Sequence, residues 1–256
     1  MRILALGDIV GNAAIDYLQK HLWEIRNREK IDFVIANGEN ATEIKGLCAR
    51  DAHTLLDTGI DVITLGNHSF GMRDIYAVLE DEERIIRPAN YPPLAPGAGY
   101  TVLRIDGWRI LGINIMGTAM MDALACPFAT VDRILQREEG NYDFAVMDIH
   151  GEATSEKIAL ARYFDGQISV MFGTHTHVQT ADEQILPAGS GYITDLGMTG
   201  PMNGVIGSDA AGVIEKFRTR MPIRFKVAEG DVTAHGALFE LDAETGRALS
   251  VKRVKF

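Results

Sequence analysis

The sequence predicts an α/β protein, in the form of a four-layer α/β/β/α sandwich with two mixed sheets. Short apolar runs alternate with amphipathic helical stretches through the first two thirds of the chain, which is the order expected of an α/β fold. Several of these runs are apolar throughout, as is typical of strands buried on both faces. After about residue 220, two strand-like stretches surround the turn AETG and indicate a closing hairpin. Two sheets packed face to face, with helices outside, fit this order.

The predicted elements follow from these patterns in chain order. We expect strands at 2–6, 32–36, 61–65, 100–105, 109–115, 142–149, 168–172 and 191–194, and hairpin strands at 234–241 and 248–256. We expect helices near 12–28, 49–57, 73–82, 130–138 and 155–164, the first of them capped by Asn12. The stretch 196–212 contains five glycines and is expected to be an ordered surface loop.

Composition limits the classes of function. With 46% hydrophobic and 23% charged residues among 256, the chain is expected to form one globular domain over residues 1–256. No apolar run approaches the roughly 20 residues that span a bilayer, and the first residues lack the features of a signal peptide, so we expect a cytoplasmic protein. Cys48 and Cys126 belong to no CxxC motif and are expected to be buried free thiols. The net charge of -10 argues against binding of long nucleic acid.

Metal-binding and acid–base residue types recur at the carboxyl ends of predicted strands. These ends read GDIVG at 7–11, NGEN at 37–40, GNHSF at 66–70, DIHGE at 148–152 and GTHTH at 173–177. Each motif alone has a simple structural explanation, such as a helix cap or a turn. Four of the seven histidines nevertheless fall in these motifs, and loops at the carboxyl ends of strands build the sites of α/β sheets. Together the motifs predict a common site.

The residue types indicate which metals would bind. Carboxylate, amide oxygen and imidazole without thiolate favour Mn, Fe, Zn or similar ions over a structural zinc site. Two such ions, bridged by a carboxylate and a hydroxide, can activate water and bind a phosphoryl oxygen. The sequence therefore predicts a two-metal phosphoesterase.

At these motifs the sequence resembles the calcineurin-like metallophosphoesterases, and more closely their bacterial YmdB-like branch. The motifs, with DIHGEATSEK and TDLGMTGP, follow that branch in order over about residues 1–201. The resemblance implies the calcineurin-like fold and two divalent or mixed-valence ions, with Fe or Mn favoured and Zn as the alternative. It implies that one ion is held by Asp8, Glu39, Asn40 and His177, and the other by Glu39, Asn67, His150 and His175. The chain departs from the wider superfamily at Val10, where many members have histidine, and at Glu39, where many have aspartate.

The resemblance also implies a function. It implies a phosphodiesterase that hydrolyses cyclic nucleotides by attack of a metal-bridging hydroxide, with 2′,3′-cyclic nucleotides favoured and 3′,5′-cyclic AMP as another candidate. His68 is not needed as a ligand and is expected to be the general acid, although orienting a ligand stays open as its role. Asp148 is interpreted either as a group that orients ligands or as a plain buried carboxylate.

The expected partners are a small cyclic nucleotide or other phosphodiester, with no long nucleic acid and no membrane, and a homo-oligomer is left open. Two other functions remain as alternatives. One is a phosphomonoesterase such as a nucleotidase, in which Lys45 and Arg73 are candidates to bind the extra phosphate oxygens. The other is a regulatory scaffold with a metal site.

Overall fold

The computed structural model describes residues 1–256 and consists of two mixed β-sheets with helices on their outer faces. The strands are β1 (Arg2–Leu6), β2 (Asp8–Ile9), β3 (Phe33–Asn37), β4 (Val62–Thr64), β5 (Ile85–Ile86), β6 (Tyr100–Ile105), β7 (Trp108–Met116), β8 (Phe144–His150), β9 (Val170–Thr174), β10 (Gln184–Ile185), β11 (Gly191–Ile193), β12 (Met198–Pro201), β13 (Val232–Leu241) and β14 (Ala248–Lys255). The helices are α1 (Gly11–Glu29), α2 (Ala49–Asp57), α3 (Ile75–Asp81), α4 (Pro127–Arg137), α5 (Thr154–Tyr163) and α6 (Ala210–Thr219). None of the helices combines the length and apolar character needed to cross a bilayer.

The first sheet has eight strands in the order β2-β12-β13-β1-β3-β4-β5, with β14 paired to β13. Strands β1, β3, β4 and β5 are parallel, whereas β13 runs antiparallel to β1 and to β14. Helices α1, α2 and α3 cover its outer face, where Leu18 and Leu55 pack with Val34 and Ile63 of the strands. Burial of these side chains is the main attraction between helix layer and sheet.

The second sheet has six strands in the order β10-β11-β9-β8-β7-β6. Helices α4 and α5 pack on its outer face, where Val131 and Leu160 join Met147. Phe172 and Phe239 belong to the apolar layer between the two sheets. The predicted four-layer α/β/β/α sandwich with two mixed sheets is confirmed.

Three local predictions were wrong. Helix α1 begins at Gly11 with Val10 as its N-cap, and no side chain caps it, because Val10 still pairs as extended backbone with Asn40 and with the carbonyl of Thr199. The stretch 196–212 contains the buried strand β12 and the start of helix α6. Its glycines permit close packing, since a Cβ on Gly200 would lie 3.1 Å from the side chain of Val10. Cys126 is exposed, although Cys48 is buried as expected.

The two sheets meet at the carboxyl ends of their parallel strands. Asn37 at the end of β3 donates from Nδ2 to Asp148 Oδ2 of β8 at 3.2 Å. Thr64 at the end of β4 also donates to this carboxylate. The loops that follow β3, β4, β8 and β9 therefore lie at one edge of the sandwich, where α/β sheets build their sites.

Candidate metal centre

The structure brings all the predicted site residues together at this edge. Asp8 lies in β2, Glu39 and Asn40 follow β3, Asn67 and His68 follow β4, His150 ends β8, and His175 and His177 follow β9. Four of these side chains, those of Asp8, Glu39, Asn40 and His150, are almost completely buried. Buried carboxylates and imidazoles in such density need a compensating charge or hydrogen bonds.

Three candidate ligand atoms lie close to His150 Nε2, and those of Glu39, His150 and His175 all lie within 4.8 Å of one another. His150 Nε2 is 2.9 Å from Asn67 Oδ1, 3.1 Å from His175 Nδ1 and 3.3 Å from Glu39 Oε1. Ligand atoms bonded at about 2.1 Å to a tetrahedral or octahedral ion lie roughly 3.0–3.4 Å apart. The spacing and chemistry of these four atoms therefore fit one divalent ion.

A second group of atoms includes Asn40 Nδ2, which lies beside the same oxygen of Glu39. His177 Nε2 is 3.2 Å from Asn40 Nδ2 and 3.6 Å from Asp8 Oδ1, and Asn40 Nδ2 is 3.3 Å from Glu39 Oε1. Asp8 Oδ1 is buried and has no hydrogen-bond partner. A buried carboxylate oxygen without a partner is costly, and a cation would satisfy it. This group fits an ion when the Asn40 amide is turned by 180°, which replaces Nδ2 by the oxygen.

Hydrogen bonds fix which nitrogen of each histidine faces the centre. Thr174 Oγ1 donates to Asp148 Oδ1 at 2.7 Å, so the same hydroxyl oxygen must accept from His150 Nδ1 at 2.9 Å. When the ring is neutral, as metal binding requires, His150 Nε2 is thereby left with a free lone pair. His177 Nδ1 donates to the carbonyl of Ile206 at 2.9 Å, which leaves its Nε2 free in the same way. Of its two interpretations, Asp148 fits the group that orients a ligand, acting through Thr174.

The chain between β9 and β10 holds His175 and His177 in an unusual backbone conformation. Their φ angles are 95° and 64°, in the region that favours glycine. Between them, Thr176 donates from N and Oγ1 to Asp195 Oδ2 at 3.2 and 2.8 Å. Asp195 in turn accepts from Lys157 Nζ at 2.8 Å, and both side chains are 1% exposed. A buried ion pair therefore fixes the loop that carries two of the predicted ligands.

Sequence reasoning missed this pair and one further residue. Lys157 lies in DIHGEATSEK and Asp195 lies in TDLGMTGP. Both motifs were used only for the family resemblance, although a lysine and an aspartate within them could have indicated an ion pair. Glu152, the last residue of DIHGE, is half-exposed and its Oε2 lies 3.2 Å from His175 Nε2. A carboxylate at this nitrogen orients the ring so that Nδ1 faces the centre.

His68 lies at the open side of the centre, with its side chain 31% exposed. Its backbone N–H donates to Glu39 Oε2 at 2.7 Å, and its Nδ1 lies 2.9 Å from Asn40 Oδ1. Burial lowers the pKa of His68, and the nearby charge of Glu39 opposes this only partly. The ring is therefore mainly neutral at pH 7 and keeps one N–H.

The ionisable groups of the centre shift one another's pKa values. Burial raises the pKa of Asp8, but the neighbouring His177 and His150 outweigh it and bring the value down to about 2. Burial lowers the pKa of His150, but Glu39 and Asp8 outweigh it and raise the value to about 9. Burial and the charge of His150 lower the pKa of His175 to about 4. Anionic carboxylates thus lie beside imidazole rings, a donor set suited to divalent metal ions.

Comparison with known proteins identifies the family of the chain. A family model described as YmdB-like protein matches residues 4–254. A 2′,3′-cyclic-nucleotide 2′-phosphodiesterase of Bacillus subtilis is 41% identical over 99% of this chain and 96% of its own length. A crystal structure of a hypothetical protein from Thermus thermophilus superposes with a TM-score of 0.94 at 40% identity, covering 100% of this chain and 99% of that one. A structure described as a novel phosphatase from Mycoplasma pneumoniae has a TM-score of 0.94 at 31% identity, covering 100% and 93%. The chain belongs to the YmdB-like family.

Proposed function

We propose that this chain is a metal-dependent phosphodiesterase that hydrolyses cyclic nucleotides, with 2′,3′-cyclic nucleotide monophosphates as its preferred substrates. The observation that carries the proposal is that Glu39 Oε1 lies 3.3 Å from an atom of each group of candidate ligands, His150 Nε2 in one group and Asn40 Nδ2 in the other. The name and 41% identity of the Bacillus subtilis relative support the substrate class. We further propose that residues 1–256 act as one domain.

The two groups of atoms support the ligand assignment that the resemblance implies. Asp8, Glu39, Asn40 and His177 would hold one ion, and Glu39, Asn67, His150 and His175 the other. Fe or Mn suits these oxygen and imidazole donors, and Zn is the alternative. When bound, the two ions would supply an activated water and bind the phosphoryl oxygens.

Asn40 connects this ligand set to His68. When its oxygen turns toward Asp8 and His177, its Nδ2 turns toward His68 Nδ1, which lies 2.9 Å from the present amide oxygen. Nδ2 then donates to Nδ1, so the single proton of the neutral ring must sit on Nε2. His68 Nε2 can share this proton with the departing ribose oxygen as negative charge develops there, and solvent water completes the protonation of the product. One rotation of Asn40 therefore serves both metal binding and general acid catalysis.

A substrate panel tests the proposal. The purified protein, loaded in turn with Mn²⁺, Fe²⁺ or Zn²⁺, would be assayed with 2′,3′-cyclic AMP, 3′,5′-cyclic AMP and 5′-AMP. We expect release of adenosine monophosphate from 2′,3′-cyclic AMP, slower reaction of the 3′,5′ isomer and no phosphate from 5′-AMP. Preferred hydrolysis of 5′-AMP would identify a nucleotidase. Inactivity with every ion and substrate would favour a regulatory scaffold.

A further inference from the structure

One segment of the surface has a charge opposite to that of the whole molecule. Residues 214–226, here called the basic arm, contain five basic residues and one acidic residue, Glu215, and carry a net charge of +4. The remainder of the chain then carries -14, since the whole chain carries -10. The basic residues are Lys216, Arg218, Arg220, Arg224 and Lys226. Such asymmetry marks a surface that attracts an anionic partner.

The basic arm also exposes large apolar side chains. Helix α6, which forms its first part, buries only Val213. Ile214, Phe217 and Met221 are 52%, 67% and 62% exposed. Lys216 Nζ lies 4.8 Å from the centroid of the Phe225 ring, and each of the two aromatic rings, Phe217 and Phe225, stands between two basic residues in the sequence. Single-stranded nucleic acids bind to this combination, because phosphates pair with the cations and bases stack on the rings.

The inner end of the basic arm borders the metal centre. The carbonyl of Lys226 accepts from Asp209 N at 2.8 Å, which aligns the segment with the loop that contains Ile206. The carbonyl of Ile206 accepts from the predicted ligand His177. On the other side, Arg224 Nη2 lies 3.2 Å from Oε2 of Glu43, four residues after Glu39. A ligand that ends in the centre could therefore continue along the arm.

We propose that the basic arm binds the backbone and bases of a short single-stranded RNA whose terminal 2′,3′-cyclic phosphate lies in the metal centre. The inference rests on the proposed function, because the centre must accept that cyclic diester. Water adds across one P–O bond of the ring, which yields a phosphomonoester and one free ribose hydroxyl. A cyclic mononucleotide and an RNA end offer the same reacting group, but only the RNA has further phosphates for the arm.

The position of the basic arm favours this occupant over an anionic membrane or a second copy of the acidic chain. Either of those could cover a basic apolar patch anywhere on the surface, whereas an RNA end requires the patch to lead into the site. The net charge of -10 argues against a surface that binds long nucleic acid along its length, but it does not bear on a local contact with a few nucleotides.

Kinetics with two substrates tests the inference. The metal-loaded full-length enzyme would be compared on 2′,3′-cyclic AMP and on an octaribonucleotide ending in a 2′,3′-cyclic phosphate. We expect KM to be at least about tenfold lower for the octaribonucleotide at low salt, and the advantage to shrink as salt rises. The variant Arg218→Gln/Arg220→Gln/Arg224→Gln should lose this advantage and keep wild-type kinetics on 2′,3′-cyclic AMP. The control Lys20→Gln/Arg28→Gln/Lys30→Gln removes the same amount of charge from the region of α1 and should keep the lower KM for the octaribonucleotide.

Direct binding separates this inference from the proposed function. Fluorescence anisotropy with a labelled octaribonucleotide ending in a 3′-phosphate should show binding that the basic-arm variant weakens and the control does not. If the wild type binds this probe but hydrolyses no cyclic diester, the proposed function fails and the arm remains an RNA-binding surface. Equal KM for both substrates, or equal probe binding by variant and wild type, would overturn the inference. If the basic-arm variant still binds the probe but no longer binds anionic vesicles, the arm is assigned to a membrane. If the variant still binds the probe but no longer self-associates, the arm is assigned to a second copy of the chain.

Discussion

Replacing Lys157 by methionine should weaken both the fold and the metal centre. Lys157 Nζ donates to Asp195 Oδ2 at 2.8 Å and to the carbonyl of Thr174 at 2.9 Å, and its side chain is 1% exposed. Methionine fills similar volume but leaves the buried carboxylate without a cation. Removing one partner of a buried ion pair costs about 3–5 kcal/mol. For a chain of this size each kcal/mol of lost stability lowers Tm by roughly 2–4 °C, so we expect the Tm of Lys157→Met to lie roughly 6–20 °C below that of the wild type.

The same substitution should reduce metal affinity through Thr176. Thr176 stands between His175 and His177 in the chain, and Asp195 accepts two hydrogen bonds from it. Without Lys157 the carboxylate is less fixed, so the two histidines lose part of their support. Loss of a group that orients ligands typically lowers metal affinity about 10–100-fold. Thermal melts of metal-free protein and calorimetric titration with Mn²⁺ would measure the two effects.

Two further variants make the test specific. Arg28→Met breaks an exposed pair with Glu29, whose side chains are 54% and 33% exposed, and should change stability by only about 0–1 kcal/mol. Lys157→Met/Asp195→Leu removes both buried charges and should recover stability, but Thr176 then has no acceptor and metal affinity should stay low. If Lys157→Met is as stable as Arg28→Met and binds Mn²⁺ with wild-type affinity, the reasoning is refuted.

Three other changes test the centre itself. Glu39→Gln should lose at least one bound ion, measured by elemental analysis, because a neutral amide bridges two cations poorly, and its circular dichroism spectrum should stay unchanged. Glu240→Gln serves as the control. Retention of two ions by Glu39→Gln would contradict the bridging role. His68→Ala should keep both ions and lose about 10²–10⁴-fold in kcat on cyclic nucleotides but much less on a nitrophenyl diester, whose leaving group needs no proton; equal losses would contradict general acid catalysis. In metal-free protein the pKa of His150 is about 9, above the value of about 6.5 in the unfolded chain. The stabilisation that protonated His150 gives the fold is therefore complete below pH ~6.5 and is lost as pH rises to 9. The free energy of unfolding, measured by urea denaturation, should fall over this pH range, and the fall should be smaller in His150→Gln.

Sequence patterns predicted those strands whose signal is local. Strand β3 (Phe33–Asn37) is buried along its whole length and reads as an apolar run, and β6 (Tyr100–Ile105) was predicted with its observed bounds. Strand β12 (Met198–Pro201) is equally buried but contains glycine and proline, and it exists because β2 and β13 pair with it. Such pairing joins segments far apart in the chain, so no local window reveals it.

The same distinction applies to the candidate site. The histidines and carboxylates at strand ends were visible because their residue types cluster at one kind of position. The groups that orient them were not visible, since Lys157 and Asp195 are 38 residues apart in sequence. The acceptor for His177 is the backbone carbonyl of Ile206, and a carbonyl has no residue type to recognise. Sequence therefore indicates which atoms could bind a metal, and the fold determines how they are oriented.

The net charge of the chain has little effect on how an anion reaches the centre. At physiological salt the Debye length is about 8 Å, so most of the -14 outside the basic arm is screened from a ligand at the site. The exposed cations of the arm are screened in the same way, whereas the buried carboxylates and histidines of the centre are screened much less. Raising salt should therefore lower kcat/KM for an RNA end while kcat stays nearly constant, because the arm acts before the chemical step and the centre acts during it. A parallel fall in kcat would show that salt acts on the centre itself.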